Sequence, residues 1–234
     1  MQLLTEASAN AKTAKNGHGV LSYILHLAPA YLSGFNVCPA ASQGCAMACL
    51  NTAGRGGIIK RGEDTNAIQQ ARIWRTILLH RNPTVFYSLL YEDLNRAVVR
   101  GRKLGLPVVV RLNGTSDLPW HDVIGDFPTI QFYDYTKRLD LLRRQLDRPL
   151  ANYDLTFSRS EVNERVAGVA LSLGFRVAVV FSGELPDLYL DSEVIDGDST
   201  DLRYLDPKGV IVGLKAKGKA RRDKSGFVVA HGGR

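Results

Sequence analysis

PVVVRLN (107–113), TIQFYDY (129–135), YDLTFSR (153–159) and RVAVVFS (176–182) follow one another through the second half of the chain. Each run is nearly continuous in apolar residues rather than strictly alternating, the pattern of a strand covered on both faces. Amphipathic helix patterns fill 138–147 and 160–173 between them. Strands that alternate with helices imply a parallel sheet with right-handed crossovers.

Working outward, GVIVGL (209–214) adds a strand on the C-terminal side and VLSYILHL (20–27) one on the N-terminal side. Between 27 and 107 the period changes to three and four. Asp64 or Thr65 caps a helix with Ile68, Ala71, Ile73, Ile77 and Leu78 on its apolar side, ending near Asn82-Pro83. A second helix starts at that proline, carries Phe86, Leu89, Leu90, Leu94, Ala97 and Val98, and stops around Gly105. Six strands in 234 residues predict an α/β fold, a partial (β/α)6 TIM-like barrel, with a doubly wound open sheet as the competitor. The links 114–128 and 183–208 are too irregular for plain crossovers and read as functional loops. There is no internal repeat and no long linker. The expected organisation is a polar N-terminal arm over 1–18 and one α/β domain over 19–234 with a basic C-terminal segment.

The chain is 45% hydrophobic and 23% charged, enough apolar content for a real core. No apolar run reaches the ~18–20 residues of a membrane span. MQLLTEASANAKTAKNGHG at the start lacks a signal-peptide core. The expectation is a cytoplasmic protein with no membrane partner. The formal charge is +7, and much of it sits in Lys215, Lys217, Lys219, Arg221, Arg222 and Lys224 against the single Asp223. That run lacks interleaved aromatics, so as a nucleic-acid contact it would touch phosphates; a solvated surface run accounts for it equally.

Parallel α/β folds bind ligands at the carboxyl ends of their strands, and here those ends are polar. They carry Arg111-Leu112-Asn113-Gly114-Thr115-Ser116-Asp117, Tyr133-Asp134-Tyr135-Thr136-Lys137-Arg138, Thr156-Phe157-Ser158-Arg159-Ser160-Glu161, and Lys215 with Lys217. Asn113-Gly114 and Ser160 serve turn and cap chemistry as readily as function. Cations repeated at three strand ends, Arg111, Lys137 and Arg159, favour function. Tyr133 and Tyr135 share one face of their strand and Asp134 takes the other.

All three cysteines lie in one loop as C-x6-C-x3-C: Cys38, Cys45 and Cys49. Odd and clustered in a chain with no export signal, they point to metal or redox chemistry rather than to a disulfide scaffold. A structural zinc asks for a fourth ligand, which His26 or His18 would have to supply. A four-iron cluster held by three thiolates leaves its fourth iron open and has no such deficit. Gly54-Arg55-Gly56-Gly57 is not a phosphate loop, and neither G-x-S-x-G nor H-E-x-x-H occurs. Asp196-Gly197-Asp198-Ser199-Thr200-Asp201 lacks the spacing and bidentate Glu of an EF-hand; acidic turns or pairing with the basic segment are expected instead.

Several of these stretches are shared with a known group. Tyr23 to Ala30, the cysteine loop ending in Gly54-Arg55-Gly56, Leu112 to Asp117, Phe132 to Arg138 and Leu214 to Lys219 resemble the phage and plasmid gene product 88 family over roughly 20–222. A weaker similarity is to radical S-adenosylmethionine (SAM) proteins, especially phage members related to spore photoproduct lyase. Those have a partial barrel, three cysteines after the first strand, and strand ends like Thr136-Lys137-Arg138 and Ser158 to Asn163. Their cysteine spacing is C-x3-C-x2-C, and Asn113-Gly114-Thr115 stands where they carry a Gly-Gly-Glu-type motif. The resemblance implies that Cys38, Cys45 and Cys49 ligate a [4Fe-4S] cluster whose open iron binds SAM, which a reducing electron cleaves to a 5′-deoxyadenosyl radical. It implies an electron donor as partner. Arg111, Lys137 or Arg159 would bind the SAM carboxylate or a substrate phosphate. Asn113, Ser116 and Asp117 would hold its amine and ribose, with Tyr135 and Ser158 beside them.

The leading expectation is therefore a radical-SAM-like iron–sulfur enzyme acting on a nucleotide or nucleic acid, with Asp117, Lys137 and Arg159 as catalytic candidates. The first alternative is a zinc-containing barrel enzyme that modifies or exchanges a base, with Asp117 or Asp134 as nucleophile. The second is a non-enzymatic nucleic-acid-binding protein whose metal only staples a loop.

Overall fold

Ten strands form one mostly parallel sheet in the computed structural model, which describes residues 2–6, 19–60 and 62–231. In chain order, β1 (Leu4–Glu6) and β2 (Leu21–Leu25) come first, then the short α1 (Gln43–Met47). The long helices α2 (Ala67–Arg81) and α3 (Pro83–Leu104) lead to β3 (Val108–Arg111). From there α4 (His121–Gly125), β4 (Gln131–Thr136), α5 (Leu139–Asp147), β5 (Tyr153–Ser158), α6 (Glu164–Ser172) and β6 (Arg176–Phe181) alternate. The chain closes with β7 (Leu188–Tyr189), β8 (Ser192–Asp196), β9 (Ile211–Lys215) and β10 (Val228–Val229).

The sheet order is β1-β2-β3-β4-β5-β6-β9-β8-β7, with β10 on β6. From β2 to β9 every neighbour is parallel and the strands lie in sequence order. A doubly wound sheet reverses its order at a switch point; from β2 to β9 the order only ascends, and beyond β9 it turns back through β8 to β7. The sheet is open: among the described residues, β1 pairs only with β2 and β7 only with β8, both antiparallel, so there is no closed barrel.

All six expected strands are present within two or three residues of their expected ends. Four others were not expected, three of them only two or three residues long. Leu4–Glu6 lies in the stretch read as a polar arm but pairs with Tyr23–Leu25, because Leu3 and Leu4 are buried; residues 7–18 of that stretch lie outside the described residues. The irregular link 183–208 folds into the β7–β8 hairpin and sends β8 alongside β9. Helix α2 begins later than expected: Asn66, not Asp64 or Thr65, is its cap and accepts from the Gln69 N–H at 2.9 Å. Pro83 opens α3, and Gly105 ends it in the left-handed region at φ 65°.

Period-two alternation divides the sheet. Leu21, Tyr23, Leu25, Val110, Phe132, Leu155, Phe157, Val177 and Val179 point to the side where Phe86, Leu90 and Leu94 of α3, Leu141 and Leu142 of α5, and Ala167 and Ala170 of α6 complete the main core. Asp134 shares that side, buried, where Tyr153 donates toward it. The opposite side carries Val109 and Tyr133 under Leu202, and toward the strand ends it carries Arg111, Tyr135, Ser158, Ala178, Val180 and Leu214. This second side forms the floor of the functional cavity.

Candidate functional site

The carboxyl ends of the parallel strands surround a cavity of about 250 Å³. One wall is the cysteine loop, with Cys38, Cys45, Cys49 and Leu50. The strand ends supply Arg111, Asn113 to Asp117, Tyr135, Thr136, Lys137 and Ser158; Lys215, Lys217, Ala220 and Phe227 close the far side. Of the residues named from sequence, ten thus meet at one place, and Arg159 is the exception.

The cysteine wall is held from outside its own sequence. Ser42 caps α1, accepting from the Cys45 N–H at 3.1 Å. Glu161, just past β5, accepts from the Ser42 hydroxyl at 2.7 Å and the Gly44 N–H at 2.8 Å, one on each carboxylate oxygen. These bonds hold its carboxyl below the usual range against the opposing effect of burial. A β-carbon on Gly44 would come within 2.8 Å of the Phe227 β-carbon, so only glycine allows α1 to seat against the C-terminal segment. The loop's beginning is tied to β3's end: the Asp117 N–H donates to the Val37 carbonyl at 2.8 Å, and the Cys38 thiol to the Thr115 carbonyl.

Burial pushes the Cys38 thiol up to about 11, and Cys49 also up, with charge on the neighbouring cysteines adding to both. At neutral pH Cys38 is therefore a thiol, and a metal would bind it by displacing the proton. Cys38, Cys45 and Cys49 line one cavity, and thiolates are the soft donor type that an iron–sulfur cluster takes. Among the described residues, however, no three His, Cys, Asp or Glu side chains are gathered to hold a metal ion as they stand. His26, one of the two histidines named as a fourth zinc ligand, is not on the cavity wall; burial with Arg72, Arg111 and Arg75 nearby lowers its pKa to about 3. His18 lies outside the described residues.

The strand-end residues divide by duty. Arg111 is largely buried, 3.5 Å from an Asp201 carboxylate oxygen and with its guanidinium 4.5 Å from the centre of the Tyr135 ring. Its Nε has no hydrogen-bond partner. Lys137 donates to the Ser158 hydroxyl at 2.8 Å and lies 5.6 Å from the Phe227 ring centre. Both cations can turn toward an anion in the cavity. Asp117 instead accepts from the Thr136 hydroxyl at 2.7 Å and the Lys137 N–H at 2.9 Å, a tie between strand ends; burial raises its pKa. Asn113 is spent inside its own loop, its Oδ1 accepting from Ser116, Leu118 and Trp120 at 2.9–3.0 Å. Gly114 must be glycine, since a β-carbon would meet the Leu25 carbonyl at 2.6 Å.

Two expectations need correction. Arg159 turns away from the cavity: it pairs with Glu164 at 2.8 Å and donates to the carbonyls of Gly226 and Phe227 at 2.6 and 3.1 Å. It clamps the C-terminal segment instead of lining the cavity. Asp134, the alternative nucleophile, is on the helix side of the sheet, accepting from the Asn113 N–H at 2.6 Å, so no cavity ligand reaches it.

Sequence reasoning missed Glu161 and Phe227. Glu161 was quoted in a polar strand end, but nothing local says that it reaches a helix 117 residues away. Phe227 follows the basic run, and its place depends on β10 pairing with β6 at Val180 and Phe181. The basic run itself is no remote tail. The 3-10 turn Gly218–Arg222 packs against the turn Leu50–Thr52 that follows Cys49, and the acidic loop meets it through Asp198, 2.6 Å from the Lys217 ammonium.

The family model for gene product 88 matches residues 2–231, and so takes in the whole cavity wall. The chain belongs to the gene product 88 family. No curated protein and no solved structure matches it. Within that matched range the cavity gathers the three cysteines, Asn113 to Asp117 and the Tyr135-Thr136-Lys137 strand end. No helix among the described residues is long and apolar enough to cross a membrane.

Proposed function

We propose that this protein is an iron–sulfur, radical-SAM-like enzyme acting on a nucleotide or nucleic acid. The observation that carries the reading is the convergence of Cys38, Cys45 and Cys49 with Arg111 and Lys137 on one cavity at the carboxyl ends of parallel strands. The ascending order of the parallel strands β2, β3, β4, β5, β6 and β9 is compatible with a partial barrel and supports the same reading. Cys38, Cys45 and Cys49 would hold a [4Fe-4S] cluster, which with SAM at its open iron supplies one-electron reductive cleavage.

The chain's own residues then have definite tasks. Glu161 and Ser42 fix α1 and with it Cys45. Asp117 holds β4's end and the start of the cysteine loop in register. Arg111, Lys137 and Lys215 present positive charge to carboxylate or phosphate groups. Val180, Leu214 and Phe227 make the floor and far wall apolar, which excludes water and strengthens those charge interactions.

The test is metal analysis of anaerobically purified protein. The expected result is brown protein with about four irons per chain, loss of iron in Cys45→Ala, and release of 5′-deoxyadenosine on adding SAM and a strong reductant. Colourless protein with one zinc would replace this reading with the zinc-enzyme alternative. Iron without SAM cleavage would leave a cluster of another purpose.

A further inference from the structure

We infer that the substrate is a polynucleotide rather than a free nucleotide: one nucleotide reaches the cavity's edge at Leu50, and the exposed basic turn beside it holds neighbouring phosphates. The inference rests on the cavity being the active site, and it deepens that reading by naming the substrate class.

The cations around the cavity differ in whether they are already engaged. Inside the cavity, Arg111 faces Asp201 and Tyr135, Lys137 donates to Ser158, and Lys217 pairs with Asp198. Outside it, Lys219, Arg221, Arg222 and Lys224 are exposed and make no ion pair among the described residues. Asp223, the one acid in the run, is turned inward and accepts from Ser225 and Val228. Neighbouring Ala220 is buried and forms part of the cavity wall, so the free charge flanks the opening directly.

The turn Leu50–Thr52 contacts both Gly218–Arg222 and Gly54–Gly57, and the latter carries the exposed Arg55. Leu50 lines the cavity yet is 56% exposed. A mononucleotide seated in the cavity has too few phosphates to engage exposed cations on two turns. A strand passing Leu50 can reach both, because its phosphates recur at regular spacing.

The wall between those cations decides which polyanion fits. Val180, Leu214, Phe227 and Leu50 offer a mainly apolar recess to a flat, neutral group. Nucleic acid joins such groups to a charged backbone, whereas an acidic peptide carries its charge on the side chains that would have to enter. Enzymes that act on one nucleotide of a strand bring it out of the stack, and exposed apolar side chains such as Leu50 serve as the wedge against the neighbouring base.

The test is fluorescence anisotropy with a labelled single-stranded oligonucleotide across a salt series, on the full chain. The triple variant Lys219→Ala/Arg221→Ala/Arg222→Ala is compared with Arg143→Ala/Arg148→Ala/Arg165→Ala. The second set removes the same charge from exposed positions on or beside the outer helices α5 and α6. The expected result is salt-dependent binding that the first variant weakens about tenfold or more, with its log–log salt slope shallower by about 2, while the second leaves both unchanged. Equal loss in the two variants would overturn the inference, because net charge alone would then explain binding. So would competition by heparin as effective as by unlabelled oligonucleotide, or binding to phosphatidylserine vesicles without binding to oligonucleotide. Iron content is measured on the same samples: colourless protein that passes the binding test removes the cluster and keeps the polynucleotide, and brown protein that fails it does the reverse.

Discussion

Two aspartates at neighbouring strand ends show how little the residue type alone says about duty. Asp117 has both oxygens occupied by the Thr136 hydroxyl and the Lys137 N–H. Asp134 sits behind the sheet with one strong donor, the Asn113 N–H, and a long contact from Tyr153 at 3.4 Å. Burial raises the Asp134 pKa to about 7, against about 3.9 for an unfolded aspartate. The folded state therefore binds this proton more tightly than the unfolded state. Its contribution to stability is fully present below about pH 4, declines as the pH rises toward 7, and is level above that. Asp134→Asn keeps an acceptor for the Asn113 N–H and removes the charge. Urea unfolding between pH 5 and pH 8 should show the wild type losing stability relative to the variant as pH rises. The variant should be the more stable at pH 8, by on the order of a few kcal/mol. Parallel curves would mean that Asp134 stays ionised throughout.

A five-residue helix such as α1 has no stability of its own, and its position is set by what grips it: the Ser42 cap, Glu161 and the close seat of Gly44 on Phe227. Gly44→Ala pushes a methyl into that seat, with the Phe227 β-carbon and a Glu161 oxygen each 2.8 Å away. It should cost about 1–3 kcal/mol in urea unfolding and raise the labelling rate of Cys45 in metal-free protein. A rate and a midpoint both unchanged would show that α1 is not seated as described. Elements of this kind explain what was legible. The six long strands were readable because burial on both faces leaves an unbroken apolar run, and α3 because Pro83 and Gly105 punctuate it. Strands of two or three residues, as in β1, β7 and β10, carry too little pattern of their own and exist because a partner pairs with them. The cysteines and the strand-end cations could be found because a core has no use for them. The direction of each guanidinium could not: Arg111 and Arg159 look alike in sequence, yet one lines the cavity and the other clamps the segment that closes it.

That closing segment makes residues 223–231 part of the whole molecule's design. Where β5 stops pairing with β6 at Ala178, β10 takes over at Val180 and Phe181, and the Ser182 N–H donates to Val229 at 3.0 Å. Phe227 packs with Ala48, Ala216 and Ala220, and against Cys45, in a cluster separate from the main core; Cys38 packs on the main core instead. Ending the chain after Arg222 would remove Phe227 and β10 while leaving in place the turn Gly218–Arg222 and, apart from the contact of Val229, the residues of the main core. Losing one buried aromatic and several hydrogen bonds should lower stability by about 3 kcal/mol or more. The loss should be local in character. Mass-spectrometric labelling of chelator-treated protein should show Cys45 reacting at least about tenfold faster than in the full chain, since an opening free-energy change of 1.4 kcal/mol is already a factor of ten, while Cys38 keeps its slow rate. Equal acceleration at both cysteines would mean that the truncated sheet opens as one unit, and that the C-terminal segment stabilises the fold rather than closing the cavity.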